Sequence, residues 1–129
     1  MTATEWVQSA LTGYAPLVAV VPSARIRAAG PWRAMEPPYI VHRPVADEYI
    51  ATHQGHASPI ARFYQISVFA RTISEALAIA RLVAGALAAG AAGGAAILGG
   101  MRYIPEEQML ERDIEPLVHL AIDATVQVE

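Results

Sequence analysis

The spacing of the hydrophobic residues changes at Thr72, and this change predicts the centre of the fold. Over residues 61–71, hydrophobic and polar residues alternate, which is typical of a half-buried β-strand. From Ile73 to Gly90 the period is about 3.6, which is typical of an amphipathic α-helix. Thr72 and Glu75 have the spacing of a capping box, so each side chain is placed to bond an amide of the first helical turn. The predicted buried faces are Tyr64, Ile66, Val68 and Ala70 on the strand, and Ala76, Ala80, Val83, Ala84 and Leu87 on the helix.

Weaker patterns predict the elements that precede this strand. Thr2 and Glu5 form a second capping-box pair, followed by an amphipathic helix. Residues 14–21 are apolar between two prolines and predict a short turn or helical piece. Residues 25–27 predict a short strand, and the alternation over residues 39–45 predicts a longer one.

The end of the chain carries the clearest strand pattern, because hydrophobic residues occupy every second position from Val118 to Val128. The predicted order of elements is therefore α-β-β-β-α-β-β. The fold class that we expect is α+β, a mostly antiparallel sheet with two helices packed on one face. With 129 residues, we expect one domain over 1–129.

Composition excludes several classes of function. The net charge is −3 and the chain contains no lysine, which argues against tight sequence-independent DNA binding. It contains no cysteine, so disulfides and thiolate chemistry are excluded. The N-terminus lacks the pattern of a secretory signal, and the apolar stretch 76–98 is too rich in alanine and glycine to predict a membrane span.

Two segments are predicted to lack regular structure. Residues 47–59 are polar with Gly55 near their middle and predict a long hairpin loop. Residues 91–100 are almost entirely alanine and glycine and predict a flexible connection, with a strand as an option within 97–104.

No motif in the chain predicts catalysis. His53 and His56 lie three residues apart in the predicted loop, but a metal site would need a third ligand, and such pairs are usually solvated. His42 and His119 lie on predicted strands, and His119 falls on the polar face, where a solvated or interface side chain is expected. We therefore expect no cofactor, no metal and no enzymatic activity.

Arginines flank the predicted strands. Arg62 and Arg71 bracket the central strand, and Arg112 and Asp113 precede the last one. One interpretation is solvated strand ends. The other is ion pairs between subunits, which suit the planar donor fork of arginine.

Taken in order, these pieces resemble the tail-completion, or tail-to-head joining, proteins of long-tailed bacteriophages, which are related in fold to tail terminators. The resemblance extends over nearly the whole chain and depends on order and spacing. The residues that carry it are Leu11, Leu17, Val20-Val21, Arg25-Ile26, Pro37 to Val41, Gly55, Arg62, Gln65 to Ala70, Glu75-Ala76, Leu87 and Arg112-Asp113.

The resemblance implies a structural role in a virion. Such proteins form a ring, commonly a hexamer, at the head-proximal end of the tail tube, where they terminate tail growth and contact head-completion (stopper) proteins. DNA passes through the lumen without sequence-specific binding, and the protein is assembled in the host cytoplasm. Gene transfer agents use similar parts. The candidate subunit or tube interface consists of Arg62, Arg71, Arg112, Asp113, His53 and Gly55.

We further hypothesise that residues 47–59 or 91–100 lie at the lumen or the tube contact and become ordered on assembly. Two alternatives to the tail-terminator interpretation remain open. One is a small oligomeric α+β ligand-binding module or enzyme. The other is a different head-tail connector or tail-tube subunit.

Overall fold

The structure is a computed structural model and describes residues 2–28, 36–51, 57–90, 92–104 and 117–128; for 46–51 and 57–61 it describes the backbone. Three α-helices and one 3-10 helix accompany five strands in these ranges. The helices are α1 (Ala3–Thr12), α2 (Ala15–Val18), a 3-10 turn (Ser23–Arg25) and α3 (Ile73–Ala88). The strands are β1 (Ile26–Ala28), β2 (Tyr39–Ala51), β3 (Ala57–Ala70), β4 (Gly94–Ile104) and β5 (Val118–Val128). The predicted order of elements is confirmed, with α2 as the short helical piece expected over residues 14–21.

The five strands form one sheet in the order β1-β2-β3-β5-β4. β1 runs parallel to β2, and the other three pairings are antiparallel. The α+β class with a mostly antiparallel sheet is therefore confirmed. No helix within the described ranges is long and apolar enough to cross a membrane.

One face of the sheet packs against α1 and α3 and forms the main core. The alternation in β3 places Tyr64, Ile66, Val68 and Ala70 on this face, and all four are buried. The predicted buried face of α3 is confirmed at four of its five positions. Ala84 is partly exposed, and Ile79 and Ala86 are buried in addition. A second, smaller cluster lies on the opposite face and consists of Tyr39, Val41, Phe69 and Leu117.

The two predicted helix caps differ in one bond. At α1 the box is complete, because the Thr2 hydroxyl accepts from the Glu5 amide at 3.1 Å and the Glu5 carboxylate accepts from the Thr2 amide at 3.3 Å. At α3 the Thr72 hydroxyl accepts from the Glu75 amide at 3.1 Å, as predicted. The Glu75 carboxylate, however, accepts from the amide of Arg71 at 3.1 Å, one residue before the cap.

The prediction of a flexible connection over residues 91–100 is wrong from Gly94 onward, where β4 begins. β4 pairs with β5 from Gly94↔Val128 to Ile104↔His119, with a bulge between Leu98 and Gly100. Glycine is required where this strand starts, because a Cβ on Gly94 would lie 2.6 Å from the indole nitrogen of Trp6. Glycine at position 94 therefore makes space for the Trp6 ring, and it does not mark a flexible segment.

The prediction of a hairpin loop over residues 47–59 is also wrong in extent. β2 continues to Ala51 and β3 begins at Ala57, with pairs from Asp47↔Arg62 to Ala51↔Ala57. β5 pairs with β3 only between Arg62 and Ala70. Within the described residues, the far half of the hairpin is thus a two-stranded ribbon that extends beyond the sheet.

Candidate assembly surfaces

A chain of hydrogen bonds crosses the core beneath α1. His42 on β2 is fully buried; its Nδ1 lies 2.8 Å from the Tyr64 hydroxyl and its Nε2 lies 2.6 Å from Gln8 Oε1. The Gln8 amide nitrogen donates to the carbonyl of Ile26 at 2.9 Å, and the Thr4 hydroxyl bonds the Tyr64 oxygen. These bonds connect α1 to β1, β2 and β3.

The partners determine the direction of each bond. Because the Gln8 amide nitrogen donates to Ile26, the oxygen of Gln8 accepts from Nε2–H of His42. Nδ1 of the neutral ring then accepts from Tyr64, which itself accepts from Thr4. Burial lowers the pKa of His42 to about 4 and raises that of Tyr64. Each member bonds another protein group, so the network links α1 to the sheet.

A row of rings lies on the opposite face of the sheet. Tyr39 stacks on Phe69 with centroids 4.7 Å apart, and Phe69 stacks on His119 with centroids 4.3 Å apart. The three residues are directly paired across β2, β3 and β5. Stacking of this kind contributes about 0.5–1.5 kcal/mol per pair beyond the area buried.

His119 is half-buried in this row, although the sequence predicted a solvated or interface side chain. Its Nε2 is buried and has no hydrogen-bond partner among the residues that the structure describes. Burial, and then the charges of Arg102 and Arg43, lower the pKa of His119 to about 4. Ser67, on the same face, accepts from the side-chain amide of Gln65 at 3.2 Å.

Among the described side chains of the sheet, four of the large apolar ones that are exposed lie on β4, whereas Val45 on β2 and Phe63 on β3 are single exposed residues of their strands. Ile97 is 73% exposed, Met101 50% and Tyr103 48%, and Leu98 is exposed as well. The pairing with β5 places Leu98, Met101 and Tyr103 on the helix-bearing face and Ile97 on the other. Arg102, the one charged residue of β4, forms an ion pair with Asp123 of β5. No pattern in the sequence predicts this surface beyond the optional strand within residues 97–104.

Two residues of the predicted interface lie in the described part of the chain. In the strand register, Arg62 of β3 lies opposite Asp47 of β2 on one side and Val126 of β5 on the other. Arg71 follows β3, and its guanidinium donates to the carbonyl of Pro37 at 2.7 Å, so it holds the end of β3 to the segment before β2. At about 3.3 Å per strand residue, the two arginines lie roughly 30 Å apart and do not form one site.

The remaining predicted interface residues, His53, Gly55, Arg112 and Asp113, lie outside the described residues, as does His56. Among the residues that the structure does describe, no group of three or more His, Asp or Glu side chains is placed to hold a metal ion.

Neither a family model nor a curated protein matches the sequence. A chain from the virion of a native gene transfer agent particle does match in structure, with a TM-score of 0.61 and 18% sequence identity. The match covers 98% of this chain and 93% of the other. At this identity the likeness shows a shared fold, and it extends over nearly the full length of both chains.

Proposed function

We propose that this protein is a structural component of a phage-like virion that forms a ring at the head-proximal end of the tail tube. In this role it terminates tail growth and joins the tail to the head, with DNA passing through its lumen. Its partners are copies of itself, the tail-tube protein and the head-completion protein.

The observation that carries the proposal is the fold shared with a gene transfer agent virion chain over 98% of this chain and 93% of that one. Coverage this complete on both sides means that the two chains share their whole architecture and not one common motif. The resemblance of the sequence to tail-completion proteins adds the more specific role.

Two features of the structure support an assembling subunit. A closed ring needs surfaces that a neighbouring copy covers. β4 offers exposed apolar side chains on both faces of the sheet edge, and the β2–β3 ribbon extends beyond the sheet. A two-stranded ribbon is marginal by itself in water, so packing against a neighbour would stabilise it.

The net charge of the chain also supports a ring through which DNA passes. Each phosphate that a protein neutralises adds salt-dependent affinity for DNA, which would retard a genome passing through a lumen. A net charge of −3 and the lack of lysine agree with weak retention.

The proposal is tested by adding the protein to polymerising tail-tube subunits of the same particle and following tube length by negative-stain imaging. We expect tube growth to stop at substoichiometric amounts of protein, because only tube ends are blocked. An unchanged length distribution at equimolar protein would contradict the proposal. Bovine serum albumin at the same concentration controls for crowding.

A further inference from the structure

The outer edge of β4 is open within the described residues, where β4 pairs with β5 alone. The strand has 11 residues, so this edge runs for about 36 Å and carries outward backbone amides and carbonyls. Proteins usually protect such an edge with prolines, charges or a short strand. β4 contains no proline, and its single charged side chain, Arg102, is paired with Asp123. Its one interruption is the bulge at Gly99.

The opposite side of the sheet is protected where β2 lies within the five-stranded part. Its edge strand β1 has only three residues and covers β2 from Ile40 to His42. Beyond β1, β2 continues with exposed Arg43, Pro44 and Val45, and its register with β3 shifts at this point. A proline cannot donate to a neighbouring strand, and a bulge bends the edge away. Within the described residues the two sides of the sheet therefore differ, because the β4 edge is open along its whole length and the β2 edge is covered by β1 and then interrupted by Pro44 and a register shift.

The chemistry of the β4 edge defines what fits it. Its apolar side chains flank the backbone on both faces, Ile97 on one and Leu98, Met101 and Tyr103 on the other. A helix in a groove would cover one face only, whereas a strand added in the plane of the sheet covers both. The ion pair between Arg102 and Asp123 leaves the edge without net charge, so nothing in it selects a nucleic acid or an acidic surface.

We propose that the β4 edge is a contact between copies of this chain, in which β4 pairs with a strand of a second copy. The inference rests on the proposed function, because a ring requires every copy to present a surface that its neighbour covers. It adds the location of that surface, which none of the interface residues predicted from the sequence includes.

The test compares three variants with wild type. Met101→Glu puts a charge on the helix-bearing face of β4, and Ile97→Lys puts one on the other face. Val20→Glu is the matched control, because Val20 is 45% exposed against 50% for Met101 and lies outside the sheet, after α2. Circular dichroism checks that all variants fold. Sedimentation velocity over a range of concentrations, alone and with the tail-tube subunit, gives the dissociation constant for self-association.

We expect Met101→Glu and Ile97→Lys to weaken self-association about tenfold or more, and Val20→Glu to change it less than about twofold. Hydrogen exchange of the β4 amides should slow on association, which side-chain packing without strand pairing would not produce. Wild-type affinity in both β4 variants, or unchanged exchange in β4, would overturn the inference. If the β4 variants associate more weakly but the β4 amides of the wild type do not exchange more slowly on association, strand pairing is refuted.

Failure of this inference and failure of the proposed function are distinguishable. β4 variants that still associate and still shorten tubes contradict the β4 contact and leave the virion role intact. Wild-type protein that neither associates nor affects tubes contradicts the virion role itself.

Discussion

Acidification should destabilise the fold through His42. This imidazole is fully buried and neutral in the network, in which its two ring nitrogens bond Gln8 and Tyr64. Burial lowers its pKa from 6.5 to about 4. Between these two values the unfolded chain binds the proton and the folded chain does not, so the stability contributed by neutral His42 is complete above about pH 6.5. It decreases as the pH falls from 6.5 towards 4.

The magnitude follows from the two pKa values. One pKa unit corresponds to about 1.4 kcal/mol, so lowering the pH from 7.5 to 4.5 should remove about 2.5 kcal/mol from the free energy of unfolding through this group alone. A loss of this size is a large part of the stability of a typical domain. Urea unfolding monitored by circular dichroism at several pH values measures it.

His42→Gln isolates the contribution of the imidazole, because glutamine keeps a donor and an acceptor but does not titrate. The variant should be less stable than wild type at pH 7.5 by about 1–3 kcal/mol, since the partners are left imperfectly bonded. Between pH 7.5 and 4.5, the free energy of unfolding of the variant should fall by about 2.5 kcal/mol less than that of wild type. His119→Gln is the comparison, because the pKa of His119 is also lowered but its side chain is partly exposed, so its effect should be smaller. An equal acid-induced loss of stability in wild type and His42→Gln would show that His42 does not cause the pH dependence.

Two further pairs of substitutions test the packing at Gly94 and the cap of α3. Gly94→Ala should lower stability by about 1–3 kcal/mol, because the added Cβ would lie 2.6 Å from the Trp6 ring, whereas Gly100→Ala, with nothing within 4 Å, should be nearly neutral in thermal unfolding. Equal melting temperatures for the two variants would contradict the close approach. Thr72→Ala should cost about 1 kcal/mol by removing the acceptor for the Glu75 amide, and Ser74→Ala, exposed in the same turn, should cost clearly less in urea unfolding. A Ser74→Ala loss as large as that of Thr72→Ala would argue against the cap.

The elements that the sequence predicted well are those whose signal is local. The change of period at Thr72 lies within one strand and one helix, and the cap that separates them involves neighbours in sequence. The alternation from Val118 to Val128 is of the same kind. For such elements the residues that determine the structure are close together along the chain.

The wrong predictions concern structure that depends on distant partners. Alanine and glycine have low strand propensity, so the sequence predicted a flexible connection over residues 91–100 with a strand only as an option within 97–104, and pairing with β5 outweighs that propensity. The far half of the β2–β3 hairpin extends beyond the sheet, so it need not show the alternation of a half-buried strand.

The contacts of His42 and His119 could not be predicted from the sequence either. The network of His42 exists because α1 places Gln8 over the sheet, 34 residues away in the chain. His119 occupies the polar face that its position predicted, but stacking on Phe69 buries it in part. The β4 edge became visible only once the strand order placed β4 outermost.

Negative-stain imaging of tail tubes incubated with this protein, combined with mass photometry of the protein alone, would decide whether the chain acts as a tail terminator. We expect a closed ring of about six copies, bound to one end of each tube and not the other. A stable monomer or two-fold dimer that leaves both tube ends bare would contradict it.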